Sequence, residues 1–222
     1  MTAPDVVTEM FAAYRTSLDS LEGKLGSAFS DAVDLLEGMS GTVVVCGMGK
    51  SGLVGAKITA TLTSTGTPSV FLHPAEAMHG DLGIVRKGDL IILISNSGET
   101  EEITRLLPAL KRLAVRIIAL VGNVDSTMAR AADICLDAAI DKEACPLNLA
   151  PTTSTLAALV LGDALAVALM ERRGFRPADF AATHPGGKLG KKLLHTAKDH
   201  MRSHDLPFVD PKMVMNEVVA VM

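Results

Sequence analysis

The chain has 222 residues, a formal net charge of −4 and a hydrophobic fraction of 48%. This length suits one sizeable α/β domain plus part of another segment, and the slight acidic excess gives no support for a nucleic-acid-binding surface. With 21% charged residues and no tryptophan, the composition is typical of a folded protein whose core is aliphatic.

The chain is predicted to begin with helices and then to alternate strands with helices. Residues 4–39 are expected to form two helices with a break near Gly23–Gly26. The predicted strands are Thr42–Cys46, Ser69–Leu72, Asp89–Ser95, Arg116–Gly122 and Asp133–Asp137, and further helices are predicted at 51–66, 99–113, 126–131 and 151–173. The strand candidates are short, β-branched and apolar on both faces, as expected of strands covered by helices on two sides. The alternation predicts a doubly wound parallel sheet in three layers.

Two loops that follow predicted strands are rich in small hydrogen-bond donors. The segment "CGMGKSG" follows the first strand and "SNSGETEE" follows the third. Ligands of doubly wound sheets bind at the carboxyl ends of the strands. We therefore expect both loops to face one ligand site.

The "GMGKSG" segment matches a dinucleotide fingerprint and resembles the core of a nucleotide phosphate loop. A dinucleotide site needs an acidic residue at the end of the second strand, but that strand runs into "LHPAEAMHG". The phosphate loop needs a glycine where Val44 stands. Both nucleotide interpretations are therefore disfavoured. What remains is a glycine turn of Gly47, Gly49 and Gly52 that lets backbone amides and Ser51 approach a ligand.

The "SNSGET" segment is typical of a phosphate cradle. Ser95, Ser97 and Thr100 place three hydroxyls in one tight loop, and Gly98 allows close approach of the backbone. An ordinary helix cap needs a single hydroxyl, whereas free amides and hydroxyls at a helix start can bind a phosphate. The candidate phosphate-binding residues are Ser51, Ser95, Asn96, Ser97, Gly98 and Thr100.

Several motifs in order resemble one known family. The segments "GMGKSG", "STGTPSVFLHPAEAMHGDLG", "ISNSGETEEI", "KEACPLNLAPTTSTLAALVLGDALA" and "HPGGKLGKKLL" are similar to the sugar isomerase (SIS) domain of the D-arabinose 5-phosphate isomerases. The similarity runs from Gly41 to Leu194. It implies a flavodoxin-like αβα sandwich, usually a tetramer, that interconverts D-ribulose 5-phosphate and D-arabinose 5-phosphate through an enediol and supplies Kdo for lipopolysaccharide.

The resemblance also implies a domain organisation. Residues 1–40 are expected to form N-terminal helices that pack on the SIS domain, and residues 41–195 are expected to form that domain. Residues 196–222 resemble a linker and the incomplete start of a CBS domain.

The segment Leu156–Met170 is apolar nearly all round, so we expect it to be wholly buried or to lie at a subunit interface.

The family's functional positions fall on Lys50, His79, Glu102, Glu143 and His184. Aldose–ketose isomerisation moves a proton between C1 and C2, so it needs a base and a group that stabilises the oxyanion. We expect Lys50 to stabilise the oxyanion and either His184 or Glu143 to transfer the proton. His79 and Glu102 are expected to act on sugar hydroxyls or to orient the other groups. The "PGG" turn after His184 could place this loop against a neighbouring subunit's site.

The proposed chemistry requires no redox cofactor and no metal. His79, His184, Glu102 and Glu143 are nevertheless of types that bind zinc, which leaves room for adventitious, inhibitory binding of a divalent metal. We expect a cytoplasmic protein without membrane contact. The three cysteines form no C-x-x-C pair, and the start of the chain shows no signal pattern. The longest apolar segment is interrupted by Asp163.

Two alternatives to this isomerase stay open. One is a regulatory protein that senses a sugar phosphate on the same fold, and the other is an isomerase or lyase for a different sugar phosphate. A sensor could dispense with Lys50, Glu143 or His184, and all three are present.

Overall fold

The computed structural model describes residues 2–194, 198, 201, 204, 206 and 208–221. By its internal contacts the chain divides into two units, Met1–Arg176 and Pro177–Met222. Each unit is described separately below.

The first unit alternates strands with helices. Its strands are β1 (Val43–Gly47), β2 (Ser69–Leu72), β3 (Leu90–Ser95), β4 (Arg116–Val121) and β5 (Ile134–Asp137). Its helices are α1 (Ala3–Gly23), α2 (Ser27–Glu37), α3 (Gly49–Ser64), α4 (Pro74–Ala77), α5 (Glu101–Thr104), α6 (Leu107–Arg112), α7 (Thr127–Ala131) and α8 (Thr153–Arg172). A short 3-10 helix covers Asp81–Ile84.

Within the described residues the strands form one five-stranded sheet in the order β2-β1-β3-β4-β5. Every neighbouring pair is parallel. This is the flavodoxin-like order, in which the chain starts in the sheet interior and winds outward in both directions. The predicted doubly wound α/β fold is therefore confirmed, and each strand begins and ends within one residue of its prediction.

Alternate residues of the central strands supply two separate cores, one on each face of the sheet. Val43 and Val45 of β1 pack into a cluster with the apolar faces of α1, α2, α3 and α8. Val44 and Cys46 pack into a second cluster with α5, α6 and α7. All four side chains are fully buried. Two helical layers thus enclose the sheet, which explains why its strands lack a polar face.

The predicted helix at 99–113 is two helices. The α-helical hydrogen bonding stops after Thr104 and resumes at Leu107. Pro108 has no amide proton to donate to the Thr104 carbonyl, and its ring would contact that oxygen, so proline disfavours a straight continuous helix here. Helix α4 and the 3-10 helix, both within the "HPAEAMHGDLG" stretch, were not predicted. Pro74 starts α4, a position where its missing amide costs nothing.

Helix α8 is the most apolar helix of the first unit. It is long and apolar enough to cross a membrane by length and composition, but half of its most apolar window is buried inside the fold. Leu161, Leu165 and Leu169 lie on the buried side, whereas Val167 is 61% exposed. Helices α1 and α2 both contact α8.

The helices of the second unit whose bounds the structure describes are α9 (Pro177–Thr183), α10 (Lys188–Leu194) and α11 (Met215–Val221). The predicted boundary between residues 195 and 196 falls outside the described residues. The assignment of 41–195 to a catalytic domain and of 196–222 to the start of a CBS domain stays a prediction.

Candidate active site

A pocket of about 380 Å³ joins the two loops that were expected to bind a ligand. Ser51 comes from the first turn of α3, which follows β1, and Asn96 comes from the loop after β3. The segment between β5 and α8 supplies the rest of the lining, namely Ile140, Asp141, Lys142, Glu143, Asn148, Leu149 and Pro151, with Ser154 from the first turn of α8. Three separate sequence motifs therefore contribute to one cavity.

The glycines of the "GMGKSG" turn permit a very close approach of β1 and α3. Strand β1 ends at Gly47, and the amide of Gly52 donates to the Met48 carbonyl at 3.2 Å. A Cβ on Gly52 would lie 2.5 Å from the Gly47 carbonyl oxygen. Gly49 adopts φ +55°, a left-handed conformation that favours glycine. The turn places Ser51 in the first helical turn of α3, where its side chain lines the pocket.

The "SNSGET" loop is closed by its own hydroxyls. The Ser95 and Thr100 hydroxyl oxygens are 2.7 Å apart, and Ser95 Oγ also accepts a hydrogen bond from the Gly98 amide at 3.0 Å. Ser97 Oγ accepts from the Glu99 amide at 3.2 Å. Ser95 is buried, whereas Asn96 and Ser97 are exposed. The outer side chains are thus available to a ligand, while the inner hydroxyl shapes the loop.

The same loop is fastened to the start of α7. The Glu99 carboxylate accepts from the Thr127 amide at 2.7 Å, and this hydrogen bond lowers the pKa of Glu99. The Met128 amide donates to the Gly98 carbonyl at 3.1 Å. Gly98 has φ +67°, and a Cβ there would lie 2.0 Å from Ser126 Oγ. Backbone conformation and crowding both require glycine at this position.

The Glu143 carboxylate is bound to the beginning of α8. Its Oε2 accepts from the Thr152 amide at 2.8 Å, from the Thr152 hydroxyl at 3.1 Å and from the Ser154 amide at 3.2 Å. Its Oε1 accepts from the Ser154 hydroxyl. Burial raises the pKa of Glu143, but the hydrogen bonds from Ser154 and Thr152 outweigh it, and the net shift is downward. The carboxylate is therefore held in its ionised form.

Lys50, His79 and Glu102 belong to the first unit but are not among the side chains that line this pocket. Lys50 is exposed in the first turn of α3, next to Ser51, and its side chain has no partner among the described residues. His79 is exposed just beyond α4, and Glu102 is half-buried in α5. Their predicted roles stay predictions.

His184 belongs to the second unit, directly after α9. Its ring stacks on Phe180 with 3.9 Å between centroids. Nδ1 lies 2.9 Å from the Phe180 carbonyl oxygen. The Thr183 hydroxyl oxygen also lies 3.0 Å from Nδ1, so both contacts hold the ring through this nitrogen and leave Nε2 outside them.

Sequence reasoning missed the partners of Glu143. Thr152 and Ser154 lie in "PTTST", whose hydroxyls before a long apolar run are typical of a helix start. Asn148 has φ +53°, and its side-chain oxygen accepts from the Glu143 amide at 2.6 Å. The hydroxyl-rich stretch was a usable signal for the first two residues. No comparable pattern marked Asn148.

Two buried side-chain atoms lack a hydrogen-bond partner among the described residues, namely His73 Nδ1 and Thr153 Oγ1. His73 directly follows β2 and is the cap residue of α4.

Among the residues that the structure describes, no group of three or more His, Cys, Asp or Glu side chains is arranged to hold a metal ion.

Comparison with known proteins connects this fold to one family. The model of the SIS domain family matches residues 39–168, which include β1 to β5 and most of α8. The curated arabinose 5-phosphate isomerase KdsD of Pseudomonas aeruginosa is 57% identical over 187 residues, or 84% of this chain. The KdsD protein of Escherichia coli K12 is 54% identical over 197 residues, or 89% of this chain. The chain spans 57% and 60% of the length of these two relatives.

A solved structure also resembles the chain in its fold. The E. coli CFT073 protein c3406, solved in complex with arabinose 5-phosphate, superposes with a TM-score of 0.80 at 40% sequence identity. The match covers 83% of this chain and 100% of that protein chain.

Proposed function

Because the chain belongs to the SIS domain family, we propose that it is an aldose–ketose isomerase that interconverts D-ribulose 5-phosphate and D-arabinose 5-phosphate. The observation that carries the proposal is the shared pocket, in which Ser51, Asn96 and Glu143 meet from three motifs. The high identity to proteins named arabinose 5-phosphate isomerase supports the choice of a pentose phosphate.

The substrate's phosphate is proposed to bind at the "SNSGET" loop. The loop lies at the carboxyl edge of the sheet, and its exposed Asn96 and Ser97 offer an amide and a hydroxyl to an anion. Ser95 and Thr100, already joined to each other, keep the loop in shape. Ser51 lines the same pocket and would contribute a further hydroxyl.

The reaction itself moves two protons and changes no net oxidation state. A base takes a proton from C1 of the ketose, an enediol forms, and a proton is returned to C2. A second proton passes from O1 to O2, so that the C2 carbonyl becomes a hydroxyl and C1 becomes the aldehyde. Negative charge develops on the oxygens between these steps, and a nearby cation stabilises it.

Lys50 is proposed as that cation. Its ammonium group has no carboxylate partner among the described residues, so no ion pair has to be broken before it meets a developing oxyanion. Lys57, further along α3, instead makes an ion pair of 2.6 Å with Asp163. His79 and Glu102 are proposed to contact the sugar hydroxyls or to orient neighbouring groups.

His184 is proposed as the proton-transfer group. Nδ1 lies within hydrogen-bond distance of the Phe180 carbonyl, and in the tautomer that donates this bond Nε2 can accept a proton. Histidine is the side chain that most often transfers protons in general acid–base catalysis.

Further properties follow from the family resemblance and are proposed with it. We infer that the enzyme needs no cofactor or metal, works as a homotetramer in the cytoplasm and supplies Kdo synthesis.

The test is an incubation of the protein with D-ribulose 5-phosphate in deuterated water. We expect D-arabinose 5-phosphate to form, with solvent deuterium at C2 detected by NMR. If neither the product nor the label is detected, the isomerase proposal fails. Binding of the sugar phosphate without turnover would identify a sensor instead.

A further inference from the structure

We propose that Glu143 is a positioning residue, whose carboxylate ties the segment between β5 and α8 to the first turn of α8 and so holds one wall of the pocket in place. This inference rests on the proposed isomerase function. It separates Glu143 from His184, which sequence reasoning treated as equivalent candidates for proton transfer.

The Glu143 carboxylate accepts its hydrogen bonds from within the chain, three at Oε2 and one at Oε1. Four donors, two from Thr152 and two from Ser154, are aimed at its two oxygens. Backbone amides at a helix start favour a negative charge. Protonation of the carboxylate would weaken these contacts, because it removes the charge to which the donors are directed.

The acid–base properties of the group agree with this geometry. Burial raises the pKa of Glu143, but the four hydrogen bonds together hold that pKa below its usual range. An effective general base at neutral pH needs a pKa raised toward neutrality. Glu143 is therefore a weaker base than an ordinary glutamate.

The segment that Glu143 fastens has little regular structure of its own. Between Asp137 and Thr153 no helix or strand is formed, and the segment is held by scattered hydrogen bonds. The Glu143 amide donates to Asn148, and the Ala144 amide donates to the Thr152 hydroxyl at 2.9 Å. Thr152 is therefore joined to both Glu143 and Ala144. Loss of the carboxylate would remove the first of these links and leave the segment held by the second.

The fastened segment is also the longest part of the pocket wall. Seven of the residues that line the pocket lie between residues 140 and 151. Ser51 and Asn96, by contrast, are set by the ends of β1 and β3. Displacing the segment would thus widen the pocket on one side and leave the phosphate loops intact.

The deciding experiment compares Glu143→Gln with Glu143→Ala. A glutamine fits the same contacts, since its oxygen can accept from the Thr152 amide and hydroxyl and from the Ser154 amide. Its amide nitrogen can donate to the Ser154 hydroxyl, which accepts as well as donates. Glutamine cannot serve as a base, so this variant keeps the contacts and removes the proton acceptor.

We expect Glu143→Gln to keep kcat within about tenfold of the wild type, while Glu143→Ala raises KM by more than tenfold, since only the alanine variant releases the wall. A loss of about 10²–10⁴ in kcat in Glu143→Gln, with KM unchanged, would instead assign Glu143 as the base and overturn the proposal. Ser154→Ala, which removes the hydroxyl donor to Oε1, is the matched variant and should raise KM, as Glu143→Ala does.

A second measurement is independent of turnover. Amide hydrogen exchange at Thr152 should accelerate in Glu143→Ala and stay near the wild-type rate in Glu143→Gln, because the Thr152 amide donates to this carboxylate. Unchanged exchange in Glu143→Ala would refute the positioning role even if the enzyme is active. Conversely, a wild-type protein without isomerase activity would refute the proposed function, and the exchange rates would still report on the loop.

Discussion

Ser95 and Thr100 are joined through their side-chain oxygens, 2.7 Å apart, across the loop that follows β3. Ser95 is only 3% exposed, and its hydroxyl also accepts from the Gly98 amide. The hydroxyls of "SNSGET" therefore differ in role. Ser95 and Thr100 brace the loop, and the exposed Ser97 remains available to a ligand.

This brace predicts a non-additive pair of substitutions. Ser95→Ala and Thr100→Val should each lower the free energy of unfolding by at least about 1 kcal/mol, because both remove their shared hydrogen bond, and Ser95→Ala also removes the acceptor of the Gly98 amide. The double variant should lose less than the sum of the two singles. Urea denaturation measures the unfolding free energies of the two single variants and the double variant. Strictly additive effects of the two substitutions would argue against the brace.

Gly98→Ala should damage the loop more than Gly49→Ala does. Both glycines have positive φ, and the left-handed conformation costs an alanine about 1–2 kcal/mol at either site. At Gly49 the new Cβ would meet no atom within 4 Å, whereas at Gly98 it would collide with Ser126. Comparing the thermal unfolding midpoints of the two variants separates the cost of the left-handed backbone from the cost of crowding by Ser126. Equal losses of stability would show that crowding by Ser126 is unimportant.

The sheet could be predicted from the sequence because its strands are buried on both sides. A run such as "DLIILIS" has no polar face, and such runs alternate with longer helical stretches. The convergence of Ser51 and Asn96 could also be expected, since parallel strands place their carboxyl ends at one edge. Pro108 shows the limit of such patterns, because the apolar periodicity of 99–113 continued through a residue that breaks the helix.

The role of Glu143 could not be predicted from local patterns. Capping rules look for an acceptor at the residue before a helix or within its first turn. Glu143 reaches Thr152 from nine positions away along the chain. Its function as a cap depends on the path of the intervening loop, including the left-handed Asn148. Only the folded segment brings the carboxylate to the helix start.

Lys50→Met should reduce catalysis far more than Lys57→Met. If Lys50 stabilises the oxyanion, its loss should lower kcat by about 10²–10³, the effect of removing one such donor. Both lysines lie on α3, and both substitutions remove one positive charge. Lys57 pairs with Asp163 on the surface, a contact that contributes no more than about 1 kcal/mol to stability. Steady-state kinetics with D-ribulose 5-phosphate distinguish them, and equal effects would remove the special role of Lys50.

The pKa of Glu143 predicts an acid-sensitive contribution to stability. Because the folded-state pKa is lowered, the ionised carboxylate stabilises the fold above the unfolded-state pKa of about 4.3, and this contribution is lost as the pH falls through the folded-state value. Glu143→Gln has no such proton to bind. Its unfolding free energy should therefore fall less between pH 6 and pH 3 than that of the wild type. Parallel curves in urea titrations over this range would contradict the assignment.

Cys145 should be the most reactive of the three thiols. Its sulfur accepts hydrogen bonds from the Ala150 and Leu149 amides at 3.1 Å, and these contacts lower its pKa. Burial raises the pKa of Cys46 to about 12, and burial together with Asp137 raises that of Cys135. Since the thiolate is the nucleophile, iodoacetamide at neutral pH should label Cys145 first.

Peptide mass spectrometry over a time course measures the order of labelling. Cys145→Ser is the matched control and should abolish the fast phase while leaving slow labelling of Cys135. The amides that hold Sγ belong to the segment fastened by Glu143, so Glu143→Ala should slow the reaction of Cys145 as the loop is released, and Glu143→Gln should not. Faster labelling of Cys135 than of Cys145 would show that these amide contacts do not control the thiol.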